Sequence, residues 1–562
     1  MNSILKKTKE FGFLPIIFLI SLIAVGCFHD FVSCLFSILL SAYIIIKILK
    51  EKKLVLKLNN AFISTLIITV FYLLSVIWAI DSGMAFIGFI KYLPIVLFAI
   101  AIMQNNDAKE KIISALPFFA AVMTVISAVL MQIPIFKDSF SVADRLSGFF
   151  QYPNTFALFL LIAELLLISK LKLKYYDYIF LFILLFGIVY SGSRTVFILA
   201  VIANILAGFI TKNKLLKIGI FSTVALVIAV ITVLAIVGNN AVIDRFTAFS
   251  FKESTFVGRL LYFYDALPII LKNPFGLGYY GYYYIQQGIQ SGMYSVAFIH
   301  NDFLQLMLDI GWIPAICFII ALIKPIFSKK TSGFNRIILI VMVLHSCFDF
   351  NLQFISVFCL YLLFANIDQG KEFVIKKEIM TFNFIFTALA IISVYMSIPL
   401  SLSNFGALKA ANSLYPYNTQ NSTFLLAQNE NINSAKAEAE KLIARNPYIT
   451  LCYSLRARYY YAQGDFDSLI KTKNQIFSDF PYQYPEYEEY CYMLINGIML
   501  YEQNGDYESA EYCKRELLLV PDKLQSVNNS TSKLGKMIKD RIPTELPQDI
   551  TDYINTLENI ND

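Results

Sequence analysis

Charged side chains are scarce in this 562-residue sequence, and histidine and tryptophan are nearly absent, with three and two residues. Charged residues make up 15% of the chain, whereas soluble domains carry about 25%. Hydrophobic residues make up 57%, and the mean hydropathy is +0.62. This composition excludes an ordinary soluble domain and indicates a protein with many membrane spans.

Motifs for metals and cofactors are also missing from the sequence. The eight cysteines show neither a metal-binding spacing nor a disulfide framework. There is no P-loop, no serine nucleophile elbow, no acidic metal cluster and no zinc-type histidine pair. We therefore predict no metal and no cofactor. The net charge of +6 does not indicate a nucleic-acid partner, because most lysines lie in short loops where they set membrane topology.

Long apolar runs are abundant, and many approach the roughly 20 residues with which a helix crosses a bilayer. They predict an all-α polytopic membrane domain over residues 1–400, with about 12–13 transmembrane helices. The first run is interpreted as an uncleaved span and not as a signal peptide, because a second run follows at once. The predicted spans are 11–28, 31–49, 61–80, 84–104, 113–135, 153–169, 177–191, 195–211, 216–238, 302–323, 337–350, 352–367 and 381–400.

The placement of lysine predicts the orientation of these spans. Lysines cluster in alternate loops, and the intervening loops carry few. The lysine-rich loops lie near residues 6–9, 47–57, 109–111, 170–174, 212–217, 324–336 and 371–377. Because cytoplasmic loops are enriched in Lys and Arg, we expect a cytoplasmic N-terminus. A large loop at 239–301 and the segment from 401 onward are then extracytoplasmic.

The chain becomes polar after residue 400, and residues 401–562 are predicted to form an extracytoplasmic helical domain. The stretches "YYYAQGDFDSLIKTKNQIFSDFP" and "LYEQNGDYESAEYCKRELLLVP" are alike, and Pro447 and Pro481 are 34 positions apart. This pattern resembles tetratricopeptide repeats over about 430–522. An ordinary helical hairpin domain is the alternative. Either domain would offer a surface to a protein partner.

One histidine lies at the mouth of an apolar segment, in "AFIHNDFLQLMLDIGW". Asp302 and Gln305 have the spacing of a capping box, so a helix is predicted to begin at Asn301 or Asp302. A helix N-terminus favours a bound anion and an uncharged imidazole. His300, just outside that helix, is therefore a candidate proton acceptor. A histidine at the lipid–water boundary without a role is the alternative.

Three arginines lie in outer loops, where topology does not require basic residues. They are Arg145, Arg194 and Arg259. The planar guanidinium group suits phosphate, whereas the alternative is a snorkelling anchor at the membrane interface. The cytoplasmic loops use lysine almost exclusively, which weakens that alternative for the set. Tyr262 and Asp265 follow Arg259 at intervals of three, which places them on one helix face.

Further polar and aromatic residues complete the predicted site. Tyr279 and Tyr280 begin the run "YYGYYY", which suits carbohydrate recognition or an interfacial aromatic belt. Lys91 lies within a predicted span, where an ionisable side chain is a functional candidate or snorkels. His345 and Asp349 are four positions apart in "LHSCFDF" and are predicted to share a helix face as an orienting pair. Polarity at the end of a helix is the alternative for that pair.

Several segments together resemble the O-antigen ligase/polymerase superfamily across about residues 140–365. They are "RLSGFFQYPNTFALFL", "SGSRTVFILA", "GRLLYFYDALPIILKNPFGLG", "HNDFLQLMLDIGW" and "LHSCFDF". The resemblance implies transfer of a glycan from undecaprenyl diphosphate to a saccharide, lipid or protein acceptor. It further implies that this reaction takes place on the extracytoplasmic face of the cell membrane, in contact with membrane lipid and without metal or nucleotide cofactor.

The resemblance also implies roles for particular residues. Catalytic roles fall on His300, Arg259 and Arg194. Arg145 matches the family's earlier arginine motif loosely, because two residues separate it from the following glycine. The residues predicted to bind substrate are Arg145, Lys91, Tyr262, Tyr279, Tyr280, Asp302, His345 and Asp349.

The sequence leaves other functions open. It does not separate a ligase from a polymerase. A transporter or flippase for lipid-linked sugars would also use outer arginines and aromatic residues, although the chain shows no repeated half and no pair of broken helices. A non-catalytic membrane scaffold for envelope assembly would not need His300 or the three arginines.

Overall fold

The structure is a computed structural model that describes residues 12–105, 107–170, 172–212, 214, 216–221 and 254–561. Most of the predicted span at 216–238 and the first part of the predicted loop at 239–301 lie outside the described residues. The lysines near the N-terminus, at 6–9, lie outside them as well. Within the described residues the chain is mainly α-helical.

The helices up to residue 404 form the membrane domain. They are α1 Phe13–Ile23, α2 Asp30–Glu51, α3 Asn60–Ser75, α4 Ser82–Met103, α5 Ala108–Leu130, α6 Pro134–Phe140, α7 Pro153–Ile168, α8 Tyr175–Tyr190, α9 Arg194–Ile210, α10 Ser254–Lys272, α11 Gly281–Ile289, α12 Asp302–Ile310, α13 Trp312–Phe327, α14 Gly333–Ser346, α15 Ile355–Phe364 and α16 Ile379–Asn404. Short strands accompany them, namely β1 Leu54–Leu58, β2 Ser141–Val142, β3 Arg145–Leu146 and β4 Lys371–Ile375.

Four helices in the described part of the chain are long and apolar enough to cross a membrane: α2, α4, α5 and α16. Eight shorter apolar helices coincide with other predicted spans: α1, α3, α7, α8, α9, α13, α14 and α15. The chain is therefore a helical membrane protein, and the count of 12–13 spans stays a prediction. Helix α4 is the central one, since 89% of its apolar window is buried against 28% for α16.

The predicted span at 302–323 is wrong as a single helix, because Gly311 divides it into α12 and α13. Gly311 has φ +88°, and a Cβ atom there would come within 2.2 Å of the Pro274 carbonyl oxygen. Only glycine fits such an approach without strain. The amides of Leu277 and Gly278 donate to the carbonyls of Leu308 and Asp309 at the end of α12. The loop that carries Leu277 and Gly278 thus donates hydrogen bonds to carbonyls at the end of α12, which have no partner within the helix.

The membrane domain contains an antiparallel ladder, an addition to the predicted all-α fold. Strand β1 pairs with β4, with Leu54 opposite Ile375 and Leu58 opposite Lys371. Nearby, Lys109 forms an ion pair of 2.6 Å with Asp368. All of these residues lie in or beside loops that the lysine pattern assigns to the cytoplasmic side. Loops expected on one side therefore contact one another, although the direction in which the chain faces stays a prediction.

Residues after 404 form a further helical region, and its assignment to an extracytoplasmic domain stays a prediction. Its helices are α17 Leu408–Leu414, α18 Thr419–Ala427, α19 Ile432–Arg445, α20 Thr450–Ala462, α21 Phe466–Asp479, α22 Tyr484–Gln503, α23 Tyr507–Leu518, α24 Val520–Ser530 and α25 Gln548–Asn561. Consecutive helices contact one another, most closely α19 with α20, α20 with α21, and α22 with α23. The assignment to tetratricopeptide repeats stays a prediction.

The C-terminal region is joined to the membrane domain through a buried carboxylate at the start of α4. Asp81 is 1% exposed and accepts hydrogen bonds from Thr419 and Asn446. The Tyr415 hydroxyl donates to the Gly83 carbonyl at 2.9 Å. These bonds place the C-terminal helices at the end of the membrane domain where α4 begins.

Candidate functional site

The polar contacts of the loops predicted to be extracytoplasmic converge on Asp349, in the loop between α14 and α15. Its side chain is 2% exposed. The Tyr152 hydroxyl donates to Oδ1 at 2.7 Å, and the Asn154 amide donates to Oδ2 at 2.8 Å. His300 and Arg259 approach the same carboxylate. These five residues are called the Asp349 cluster below.

His300 directly precedes α12, as the sequence predicted. Its Nδ1 lies 3.4 Å from Asp349 Oδ1, and its φ of +54° is an uncommon backbone conformation that turns the chain before the helix. The ring lies 4.9 Å from that of Phe350 and 6.3 Å from that of Tyr262, measured between centroids. Because a carboxylate only accepts hydrogen bonds, a tautomer with the proton on Nδ1 would donate toward Asp349 and leave the Nε2 lone pair free.

The predicted capping box at the start of α12 is wrong in its partners. The cap is Asn301, whose side chain accepts from the amides of Phe303 and Leu304. The side-chain oxygen of Gln305 accepts from the backbone amide of Ile299. The Gln305 side chain thus fixes the residue next to His300.

Asp302, which the sequence predicted to bind substrate, accepts hydrogen bonds from other residues of the protein. It is 2% exposed. Its Oδ2 accepts from the Ser346 hydroxyl and the Asn351 amide, and its Oδ1 accepts from the Leu352 backbone. Asp302 therefore ties the start of α12 to the loop that carries Asp349.

Helix α10 presents three residues on one face, as predicted. Arg259 Nη2 lies 3.6 Å from Asp349 Oδ2, and the arginine side chain is 20% exposed. Tyr262, one turn later, lies against His300. Asp265 accepts from the backbone and hydroxyl of Ser291 and from the hydroxyl of Tyr294. The last contact fixes the loop that leads to His300.

The surroundings of Asp349 decide its charge. Burial raises the pKa of its carboxyl group, but the neighbouring His300 imidazole and the charge of Arg259 lower that pKa by more. The resulting pKa lies well below the ordinary value of 3.8, so the group is ionised at neutral pH. Burial and the Asp349 charge raise the pKa of Tyr152 well above its ordinary value, so the phenol stays protonated and donates.

Arg145 reaches the Asp349 cluster through Asn154. Its Nη2 donates to Asn154 Oδ1 at 2.7 Å, and its Nε donates to the Ser191 carbonyl at 2.7 Å. Gly192, at φ +60°, lies against the same side chain. Arg194 follows as the first residue of α9 and is half-buried. Arg145 thus links the start of α7 to the turn that carries Arg194.

His345 does not form the predicted pair with Asp349 on one helix face. Helix α14 ends at Ser346, and Asp349 lies in the following loop. His345 is fully buried, at 0% exposure. The prediction from the four-residue spacing is therefore wrong, because residues four apart share a face only within a continuous helix.

Lys91 and Tyr279 form a separate group inside the membrane domain. Lys91 is 2% exposed, donates to the Phe28 carbonyl at 2.7 Å and lies 3.3 Å from Asp30 Oδ1. Its ammonium group lies 5.6 Å from the centre of the Tyr279 ring. Tyr279 is 1% exposed, so it faces this group and not an outer aromatic belt.

An aromatic row lies between the two groups. The ring of Tyr280 is 5.7 Å from that of Phe298, and Phe298 is 5.5 Å from Phe350, which contacts His300. Tyr280 therefore connects the tyrosine-rich loop to the Asp349 cluster through apolar contacts. The structure brings His300, Arg259, Tyr262, Asp349 and Arg145 together and leaves Lys91 and Tyr279 at the far side of this row.

Sequence reasoning missed Tyr152 and Asn154. Both flank Pro153 at the start of α7, within the quoted stretch "RLSGFFQYPNTFALFL". Polar side chains at the outer end of an apolar helix, a few residues after Arg145, were the available signal. Both residues donate to the carboxylate of Asp349, almost 200 positions later in the chain, and no local sequence pattern predicts such a contact.

Comparison with known proteins gives a family-level result. The family model described as O-antigen ligase matches residues 179–319. This range runs from α8 into α13 and contains Arg194, Arg259 and His300. The chain matches no curated protein. The matched segment supports glycan transfer of the ligase or polymerase type in general, and the apolar helices support a membrane protein.

Proposed function

We propose that the protein transfers a glycan from undecaprenyl diphosphate to an acceptor hydroxyl on the extracytoplasmic face of the membrane. The observation that carries the proposal is the Asp349 cluster. A buried, ionised carboxylate contacts the one histidine and one of the arginines that fall within the matched family region. Catalytic histidines are commonly oriented by such a carboxylate.

His300 is the general base in this proposal. With the proton on Nδ1 held by Asp349, Nε2 accepts the proton of the acceptor hydroxyl. The acceptor oxygen forms the new bond to the anomeric carbon, while the bond from that carbon to the diphosphate oxygen breaks. Asp349 stabilises the imidazolium ion that results.

Arg259 and Arg194 bind the diphosphate and stabilise the charge that develops on it as it leaves. Arg259 supports this role because its side chain is partly exposed while one nitrogen lies near Asp349. For Arg194, the support for diphosphate binding is its position in the first turn of α9, because a helix N-terminus also favours a bound anion. Arg145 holds the turn before Arg194 and is a positioning residue.

The sidedness of the reaction follows from the lysine pattern. The loops that carry Arg145, Arg194, Arg259 and His300 are those predicted to be extracytoplasmic. The C-terminal helices contact the same end of the protein through Asp81. The donor would therefore enter from the outer leaflet, with its prenyl chain in lipid.

Reconstitution into lipid vesicles tests the proposal. The purified protein is mixed with an undecaprenyl-diphosphate-linked oligosaccharide and an acceptor glycan, and new glycosidic bonds are detected by mass spectrometry. We expect His300→Ala to reduce the rate by about 100- to 10,000-fold, the usual contribution of a positioned base. His29→Ala is the matched control, because His29 precedes α2 without a capping hydrogen bond from its side chain.

The rival functions give different outcomes in the same vesicles. Movement of the lipid-linked sugar across the bilayer without bond formation would indicate a transporter. Neither movement nor transfer would indicate a scaffold. Normal transfer by His300→Ala would remove His300 from the mechanism.

A further inference from the structure

A large polar groove lies in the C-terminal region, away from the Asp349 cluster. It is formed by α17, α18 and α19, and its volume is about 880 Å³. Sites for small molecules typically have about 300–1,000 Å³, so the groove can hold several sugar units. Nothing in the proposed mechanism uses it.

The lining of the groove suits a ligand with many hydroxyl groups. Four of its thirteen residues carry side-chain amides, three are cationic, two are acidic and one is a serine. Amides offer donors and acceptors together, as hydroxyl groups do. The net charge of about one unit is too small to select a strongly acidic peptide, and the three apolar residues are too few for a lipid chain.

Arg445 gives a second, independent indication of a ligand. Its Nη1 donates to the Pro416 carbonyl at 2.8 Å. Its Nε and Nη2 are shielded from solvent and have no hydrogen-bond partner among the described residues. Buried polar groups without a partner are uncommon and costly. Because Arg445 lines the groove, these donors lie beside the space that a ligand would occupy.

The groove also lies on the side of the molecule where the proposed reaction takes place. The segment between α17 and α18 donates through Tyr415 to Gly83, and Asn446, next to Arg445, donates to Asp81. Thr450 donates to Gln287 in α11 at 2.6 Å. The groove is thus anchored to the end of the membrane domain that carries the His300 loop.

We infer that this groove binds an oligosaccharide segment of the glycan that the enzyme transfers or extends. The inference rests on the proposed function for the identity of the glycan. The shared chemistry is a neutral or weakly charged sugar chain. Such a chain could come from the acceptor or from the lipid-linked donor, and kinetics with each substrate separate the two sources.

A double variant of exposed groove residues tests the inference. Gln428→Ala with Lys441→Ala removes two exposed side chains for which the described residues show no hydrogen-bond or ion-pair partner. The matched control is Gln463→Ala with Lys471→Ala, outside the groove. Gln428 and Gln463 occupy the same C-cap position of α18 and α20, so any effect on helix ends is equal. Equal melting temperatures of the two variants establish that both are folded.

The probe is a lipid-free oligosaccharide, released by mild acid from the envelope glycan of the cell that makes the protein. Binding to the full-length protein in nanodiscs is measured by calorimetry. We expect the groove variant to bind about tenfold more weakly, as expected for two lost hydrogen bonds, and the control to bind normally. No binding by the unmodified protein, equal binding by the groove variant, or preference for a polyglutamate peptide would each overturn the inference.

Kinetics identify the source of the sugar chain. A higher KM for the acceptor alone assigns the groove to the acceptor glycan, and a higher KM for the donor alone assigns it to the donor glycan. Unchanged KM values for both substrates would contradict a role in the reaction. The binding assay needs no turnover. Oligosaccharide binding without glycan transfer by the unmodified protein would therefore refute the proposed function and would not contradict oligosaccharide binding in the groove.

Discussion

Replacement of Asp349 by asparagine is the sharpest test of the Asp349 cluster. The change keeps the size of the side chain and removes its negative charge. The Tyr152 hydroxyl donates to one carboxylate oxygen, which His300 Nδ1 approaches to 3.4 Å, and the Asn154 amide donates to the other, where Arg259 also lies. Asparagine has one acceptor oxygen, so its amide must face donors in either orientation.

The magnitude follows from these contacts. If the asparagine oxygen faces His300, its amide opposes the donors of Asn154 and Arg259. If the amide faces His300 instead, the imidazole must carry its proton on Nε2 and can no longer act as the base. A hydrogen bond to a charged group contributes about 1.5–3 kcal/mol, or about 10- to 150-fold in rate. Loss of the base raises the effect to about 100- to 10,000-fold.

We therefore expect Asp349→Asn to lower kcat by at least about tenfold. The KM for the lipid-linked donor should change little, because Arg259 loses a protein partner and stays available to the diphosphate. Initial rates of transfer in vesicles, at several donor concentrations, separate kcat from KM. This split distinguishes a role in positioning the base from a role in holding the substrate.

The matched control is Asp144→Asn, an exposed aspartate in the outer segment before α7. Its side chain is 83% exposed and pairs with Lys137 on the surface, so we expect normal transfer. Melting temperatures show whether the Asp349 variant is folded. A folded Asp349→Asn protein with normal kcat would refute the assignment of His300 and Asp349 as a catalytic pair.

Three further predictions concern stability. Tyr152→Phe removes a donor to the Asp349 carboxylate and should lower the free energy of unfolding by about 1.5–3 kcal/mol in denaturant titrations; an unchanged value would contradict the bond. Because folding lowers the pKa of Asp349, its ionised carboxylate stabilises the protein at pH values above 3.8, the pKa in the unfolded chain, and this stability is lost as pH falls below that value. Melting temperatures should therefore drop in acid, and should drop less in Asp349→Asn. Parallel plots of melting temperature against pH for the two proteins would contradict this. Gly83→Ala would bring a Cβ atom to 2.0 Å from the Tyr417 carbonyl oxygen and should expose the segment between α17 and α18 to proteases. Gly219→Ala should not, because its added Cβ atom meets no atom of the described residues within 4 Å. Equal cleavage of the two variants would refute the tight junction.

Local patterns in the sequence predicted much of the helical architecture and several members of the site. Apolar runs predicted most helices of the membrane domain to within a few residues. The residues after 404 are helical, and the division into two domains stays a prediction. The start of α12 and the position of His300 outside it were correct. Spacing of three also placed Arg259, Tyr262 and Asp265 on one face of α10.

Long-range contacts account for what the sequence did not predict. The break at Gly311 depends on the Pro274 carbonyl, which packs where a side chain would be. The pairing of β1 with β4 joins segments more than 300 positions apart. Asp349 was assigned to His345 because spacing on one helix is visible in a sequence, whereas the end of α14 at Ser346 is decided by the loop that follows.

The sequence by itself determined that the chain is a helical membrane protein with a polar C-terminal region, because hydropathy and periodicity are properties of neighbouring residues. It also predicted which rare side chains are candidates for chemistry, namely His300 and the arginines of the loops assigned to the extracytoplasmic side. Only the tertiary structure decided that Tyr152, Asn154 and His300 meet at Asp349. That choice depends on which helices pack together, and packing joins residues through space at distances along the chain that no local pattern records.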